Sequence, residues 1–242
     1  MRLIIPAAGV GTRLQPITNQ LPKCMIEIQG KPLIYYLLQP LNGLTVNEVI
    51  IVAGHKKELL QEYIKSESDF PPVKFINNDQ YERTNSIVSI ALSREYWGEP
   101  FCIIDSDLLI RPKLTEVLFD SDGTFLIIDA TKPYDQIDMK VKVEDGRFIT
   151  MDKTLSREAA QGEFFGLSRW MPAEAMALSQ VIDEFLSRGE TGVWYEWAIR
   201  ELAKRIELRV HSCVSDTWFE IDNERDYGIA KDLMLDWAPD WA

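Results

Sequence analysis

The sequence predicts an α/β protein with a mixed, mostly parallel sheet and helices on both of its faces. Three observations carry that expectation. Short β-branched runs alternate with stretches of helical periodicity through the first half of the chain. The second half brings strand-like segments close together around an Asp-Gly turn. The first apolar run, moreover, leads straight into a glycine-rich loop, as a parallel strand does when it ends at a ligand-bearing sheet edge.

RLIIP (2–6), EVIIVA (48–53), VKFIN (73–77) and FCIID (101–105) are apolar and bounded by turn formers, so each reads as a strand. Between them, residues 32–42, 55–65 and 85–96 carry apolar residues at helical spacing, the last opened by Asn85 or Ser86 as N-cap. Parallel strands need crossovers of this length, and helices then cover both faces of the sheet. Further on the pattern changes. TFLIIDA, MKVKVEDGRFITM with Asp145–Gly146 as its hairpin turn, and GEFFGLSRW read as strands of a mixed or antiparallel section. Helices are expected over about 173–187 and 194–204, followed by IELRVHS, TWFEI and a closing helix from about 223.

A chain of 242 residues with 46% hydrophobic content can bury a full core, and no Pro/Gly/Ser-rich linker divides it. One domain over residues 1–242 is expected. No run approaches the roughly 20 apolar residues of a membrane span, so a soluble, cytoplasmic protein is expected, with no membrane partner. A formal charge of −12 argues against nucleic acid as a partner, because a phosphate backbone rewards positive surfaces. An anionic ligand must therefore be met by local basic groups, backbone N–H groups or a metal ion. Cys24, Cys102 and Cys213 have no paired metal spacing, and disulfides are not expected.

The loop AAGVGTRL supplies such groups. Gly9 and Gly11 let the main chain approach a ligand or take positive φ. Arg13 and Lys23 then bring the cationic charge a polyphosphate requires. For the glycines alone an ordinary βα turn is an equal explanation. A P-loop is excluded by the absence of G-x-x-x-x-G-K-[ST], and a dinucleotide fingerprint by Leu14 at the third glycine position. Ala7, Ala8 and Gly9 offer backbone groups to a base edge. Gln80, Asn85 and Ser86 add polar contacts, although Asn85 serves equally well as a helix cap.

With Arg13, Pro22 and Lys23 in place, the opening resembles the A-A-G-x-G-x-R-L…P-K element of the nucleoside-triphosphate transferase family, the sugar-nucleotide pyrophosphorylases and their cytidylyltransferase relatives. The resemblance implies a Rossmann-like sheet of the nucleotide-diphospho-sugar transferase type and a loop wrapped around the nucleotide. It also implies attack of an acceptor phosphate on the α-phosphorus with loss of pyrophosphate.

Two acidic segments gain meaning from it. In FCIIDSDLLI, Asp105 and Asp107 have the i, i+2 spacing that puts both carboxylates on one side of an extended chain. Far downstream, TWFEIDNERDY offers Glu220, Asp222 and Asp226, and Asp222 alone reads equally well as a helix cap. Family members hold Mg2+ with one aspartate after the central strand and one late in the chain, which implies Asp107 and Asp222 here. Asp105 is expected to support the turn or to back the metal ligands from behind.

NNDQYERTNSIVSIAL resembles the cytidylyltransferases that activate phosphocholine, phosphonates and related compounds, and DMKVKVEDGRF, GEFFGLSRW and WFEID resemble the phosphonate branch. CTP and a small phosphorylated or phosphonate acceptor are the implied substrates. Lys140, through the D-M-K match, and Lys153 are candidate ligands of the acceptor phosphate, although lysines on a surface hairpin are common. In GVWYEWAIREL, Glu196 beside aromatic residues suits an ammonium-bearing acceptor, while Trp194, Trp197, Ala198 and Leu202 also form an ordinary core stripe. The alternatives are a sugar-1-phosphate nucleotidylyltransferase using UTP or dTTP, and a nucleotide sensor without turnover. The sensor is disfavoured because Lys23, Asp107 and Asp222 are all present. Trp237 and Trp241 either form a homodimer contact or seal the last helix to the core.

Overall fold

The computed structural model describes residues 1–131 and 138–241. Its first half runs β1 (Arg2–Ala7), β2 (Glu27–Ile28), β3 (Lys31–Pro32), α1 (Leu33–Leu38), β4 (Glu48–Ala53), α2 (Lys57–Ser66), β5 (Val73–Asn77), α3 (Ser86–Leu92), β6 (Phe101–Ile104), β7 (Leu108–Ile110) and α4 (Pro112–Asp120). The second half adds β8 (Phe125–Asp129), β9 (Lys140–Glu144), β10 (Arg147–Asp152), β11 (Gly162–Trp170), α5 (Pro172–Ser187), α6 (Tyr195–Leu202), β12 (Leu208–Cys213), β13 (Trp218–Glu220) and α7 (Glu224–Trp237).

Several of these follow from local rules. Asp145 and Gly146 both take positive φ, the conformation that turns β9 tightly into β10. Asn85 caps α3 by accepting from the Ser86 N–H, so the α-helix starts after it and ends at Leu92, short of the expected residue 96. Likewise α1 gives way to a 3-10 segment over Gln39–Gly43, because Pro40 has no N–H to continue the α-helical ladder. Helix α4 lies outside the expected elements. Its signals are Pro112 in the first turn and the buried face Leu114, Thr115, Leu118 and Phe119.

Nine strands form one sheet in the order β5-β4-β1-β6-β11-β8-β12-β10-β9. The four strands β5, β4, β1 and β6 are parallel throughout, and β8 and β12 form a further parallel pair. Antiparallel β11 joins the two regions. Its first residues also pair with β9, Gly162 opposite Val141 and Glu163 opposite Lys140, so the far end of the sheet closes on itself.

Strand alternation divides the core. Leu3, Ile5 and Ala7 face α1, α2 and α4, while Ile4 faces α3, α5 and α6. A third cluster packs Ala230, Met234 and Trp237 of α7 against Leu14, Ile26, Leu109 and Ile221. Each fully buried large aliphatic or aromatic side chain there contributes about 1.5–3 kcal/mol relative to exposure. Trp241 joins them, its Nε1–H donating to the Tyr36 carbonyl at 3.2 Å. Both C-terminal tryptophans thus seal the last helix to the core. Among the described residues no helix is long and apolar enough to cross a membrane.

Candidate active site

The loops at the carboxyl ends of β1 and β6 and the start of β11 surround a cleft of about 380 Å3. Its glycine loop is held from below. Gly11 has φ of 66°, in the left-handed region, and its carbonyl accepts from the Thr18 hydroxyl at 2.8 Å. His55, for which the sequence suggests no role, fastens both ends of the loop: its backbone N–H donates to Ala8 O at 3.1 Å, and its Nε2 lies 2.8 Å from Thr18 O. Gly9 is different. A Cβ there would meet no protein atom within 4 Å, yet the residue lines the cleft, so the space beside it is open to a ligand.

The two distant aspartates meet through strand register. Ribbon β7–β13 pairs Leu108 with Glu220, and the Ile221 N–H donates to the Asp107 carbonyl at 3.0 Å. This sets Asp222 beside Asp107. Lys23 Nζ sits between them, 2.6 Å from Asp107 Oδ2 and 2.8 Å from Asp222 Oδ1, and Arg13 reaches the other Asp222 oxygen at 2.8 Å. Asp222 is spared the cap of α7. Asn223 takes that role, accepting from the Asp226 N–H, and the Asp226 carboxylate accepts from the N–H groups of Asp222 and Asn223. Burial opposes charge on Lys23, but the two carboxylates outweigh it and the ammonium titrates above its ordinary value. Burial likewise works to raise Asp222, and Lys23 and Arg13 reverse it, holding the carboxyl below the usual range.

Asp107, Glu220 and Asp222 each offer an oxygen within 4.8 Å of one another. Burial first, then the charges of Asp107 and Asp222, push Glu220 well above the usual carboxylate range, which favours its neutral form beside the paired aspartates. An all-oxygen donor set of three carboxyl groups fits a hard divalent cation.

At the opposite wall Asp105 lies against Gly166. Gly166 has φ of 96°, and any Cβ there would overlap the Asp105 carboxylate. Tyr195 OH donates to Asp105 Oδ1 at 3.4 Å, while the Tyr195 N–H donates to Ser86 Oγ at 3.0 Å. Burial, followed by the nearby Glu196 charge, drives Asp105 well above its ordinary value. Glu196 also lines the cleft. Its Oε2 is shielded and has no hydrogen-bond partner among the described residues, although part of the side chain reaches the opening. Burial raises its pKa from the ordinary 4.5 to about 7. Since the native state then binds more protons than the unfolded chain between these values, this group's contribution to stability falls as pH rises from about 4.5 to about 7. Glu196→Gln is expected to flatten that slope, measured as urea-denaturation free energies across the same interval; an unchanged slope would show that Glu196 does not titrate there.

Of the residues expected in the site, Ala7, Ala8, Gly9, Gly11, Arg13, Lys23, Asn85, Ser86, Asp107, Lys153, Glu196 and Asp222 all line this cleft. Gln80 and Lys140 do not. Gln80 is exposed on a turn in which its N–H donates to Asn78 Oδ1, and Asn78 takes the place at the wall. Lys140 is buried, because β9 pairs on both sides and its Nζ turns toward the Asp138 carbonyl at 3.4 Å. Asn78 and Glu163 are not legible in the sequence, because a strand-end residue and a residue inside an apolar run show their direction only once register is known; Tyr195, which with Glu196 suggests an aromatic wall for the acceptor, is instead fully buried and supports Asp105.

An open α/β sheet whose glycine loop faces a lysine-bridged acid pair defines a class of enzymes acting on nucleotide phosphates. The chain matches the model of the Nucleotidyl transferase family over residues 2–124 and belongs to that family. It is 27% identical over 238 residues to choline-phosphate cytidylyltransferase of Streptococcus pneumoniae, covering 97% of this chain and 98% of that protein. With CMP-5'-(3-aminopropyl)phosphonate synthase of Streptomyces rubellomurinus it shares 24% identity over 236 residues, 93% of this chain and 37% of that longer protein. The fold matches the solved inositol-1-phosphate CTP transferase from T. maritima with a TM-score of 0.80 at 19% identity, covering 96% of each chain.

Proposed function

We propose that this nucleotidyltransferase is a Mg2+-dependent cytidylyltransferase that moves CMP from CTP to a small phosphonate or phosphorylated compound and releases pyrophosphate. The observation that carries the reading is the Lys23 ammonium held between Asp107 and Asp222 beside the glycine loop. The cytidylyltransferase relatives that span the chain support CTP as donor.

In this reading Asp107 and Asp222 hold Mg2+, with Glu220 adjacent; the bound ion supplies charge neutralisation to phosphate oxygens. Gly9 admits the nucleotide, and the backbone of Ala7 and Ala8 meets the base edge, with Asn85 and Ser86 on the facing wall. Arg13 and Lys23 neutralise the phosphates on either side of the breaking bond. Lys153 holds the acceptor anion so that one of its oxygens attacks the α-phosphorus in line, while the bond to the β-phosphate oxygen breaks and pyrophosphate leaves. No side chain acts as nucleophile. The chain works as a single nucleotidyltransferase domain in the cytoplasm. A homodimer would have to use a surface other than the buried C-terminal tryptophans, and a light-scattering mass at micromolar concentration tests it.

A pyrophosphate-release screen of CTP, UTP, dTTP and GTP against phosphocholine, aminoethylphosphonate, phosphorylated amino acids, inositol phosphate and sugar phosphates tests the assignment. CTP with a small non-sugar acceptor is the expected best pair. A best rate with UTP and glucose 1-phosphate would replace the reading with a sugar-1-phosphate nucleotidylyltransferase. Gly9→Ala provides a sharper check on the loop. With no protein atom in the way, its stability should stay within about 0.5 kcal/mol of wild type. Its CTP affinity, measured by calorimetry, should fall by roughly tenfold or more as the methyl fills ligand space. Unchanged affinity would move the nucleotide away from Gly9.

A further inference from the structure

The acceptor end of the cleft holds two opposite charges and one indole. Among the described residues that line it, Trp194 is the only tryptophan. The Lys153 ammonium lies over its ring, 4.5 Å from the centroid, and Trp197 meets it in a T-shaped contact at 5.5 Å. Trp197 in turn carries the Arg200 guanidinium at 4.4 Å, and Arg200 is paired with Asp152 at 2.6 Å, next in sequence to Lys153. This stack fixes the Lys153 ammonium on the aromatic surface. A quaternary ammonium seeking the same surface would stand beside a like charge. Glu196, by contrast, lines the same cleft with a carboxyl group whose Oε2 has no hydrogen-bond partner among the described residues, and a carboxyl there can accept from an N–H donor, which a trimethylated nitrogen lacks.

The charges are also gathered in one cleft. Lys153, Asp222 and Glu196 all line it, so the cation shares one cavity with the proposed reaction centre and with the Glu196 carboxyl. We propose that the acceptor carries a primary ammonium group that donates a hydrogen bond to the Glu196 carboxyl while Lys153 holds its phosphate or phosphonate, so that short aminoalkyl compounds are selected over their trimethylammonium counterparts. The inference rests on the cytidylyltransferase reading above. It goes further in assigning the acceptor's second functional group and its degree of substitution.

Three matched probes test it: 2-aminoethyl phosphate, its N,N,N-trimethyl form phosphocholine, and ethyl phosphate, which lacks the amine. With CTP and Mg2+, kcat/KM for aminoethyl phosphate should exceed both others by roughly 100-fold, the scale at which sites built to satisfy a buried polar group reject analogues lacking it. Glu196→Gln should bring the aminoethyl to ethyl phosphate ratio toward unity. Calorimetric titration of wild-type protein with each probe separates this inference from its premise. Amine-selective binding without pyrophosphate release from any nucleotide would overturn the cytidylyltransferase reading and leave the ammonium site standing. Turnover with ethyl phosphate equal to aminoethyl phosphate, preference for phosphocholine, or no binding of any probe would overturn the ammonium site. Should Glu196→Gln fail to fold, the wild-type comparison of the three probes still decides.

Discussion

Lys23→Ala is expected to lower kcat about 100-fold, corresponding to about 3 kcal/mol of lost transition-state stabilisation by a preorganised cation. The structure adds an expectation for the free protein. Lys23 neutralises Asp107 and Asp222 at 2.6 and 2.8 Å in a largely buried setting, and its removal leaves two carboxylates and Glu220 facing one another with Arg13 as the remaining cation contact. A stability loss of about 2–4 kcal/mol should follow. Because Asp222 titrates below its ordinary range in the native state, the pairing contributes fully above the pH at which free aspartate ionises. That contribution fades as acid protonates it, so the variant and wild type should converge at low pH. Millimolar Mg2+ should raise the melting temperature of the variant more than that of wild type, as a divalent ion replaces the missing positive charge. Turnover within a few-fold of wild type would remove Lys23 from the reaction, and equal Mg2+ shifts in the two proteins would separate the acid cluster from metal binding.

The second large effect is structural. Gly166→Ala combines a left-handed backbone at φ of 96° with a methyl group directed onto Asp105, whose own Cβ would lie 2.7 Å away. Neither partner can yield cheaply: Gly166 sits within β11 and its carbonyl accepts from the Asp105 N–H at 3.1 Å. A destabilisation of about 3 kcal/mol or more is expected in urea unfolding. In whatever fraction folds, the displaced Asp105 should disturb its contact with Tyr195 and weaken acceptor binding more than CTP binding. Gly146→Ala is the control, since it shares a positive φ of 77° but meets nothing within 4 Å; it should cost about 1 kcal/mol and leave substrate binding unchanged. If the two variants lost equal stability, steric conflict with Asp105 would not be the cause.

The sequence made the parallel half legible because its signals are local. Runs such as EVIIVA are buried along nearly their whole length, and the Asp145–Gly146 turn announces itself by composition. Lys23 and Arg13 were likewise readable, since a basic residue beside a glycine loop has few structural uses. What stayed hidden depends on pairing across long separations. Nothing around Glu220 shows that β13 lies against β7, so its approach to Asp107 appears only with the register. The burial of Lys140 depends on register in the same way: a lysine on a hairpin is normally solvated, but β9 acquires β11 as a second neighbour and the residue is covered. Asn85 and Ser86 were open between capping and binding. The structure gives both a capping or supporting bond and a place on the cleft wall, so the two roles coincide.

The pairing of β9 with both β10 and β11 leaves the main sheet, among the described residues, with one unpaired border, strand β5. Exposed backbone at such a border is where chains recruit one another into continuous sheets and, under stress, into aggregates. Here it amounts to five residues, with Lys74 tied to Glu48 at 2.9 Å and charge standing where another chain would have to dock. Strand addition to the main sheet therefore has a narrow entrance, guarded by a lysine, and it lies close to the cleft, whose wall includes Asn78, the residue that follows β5.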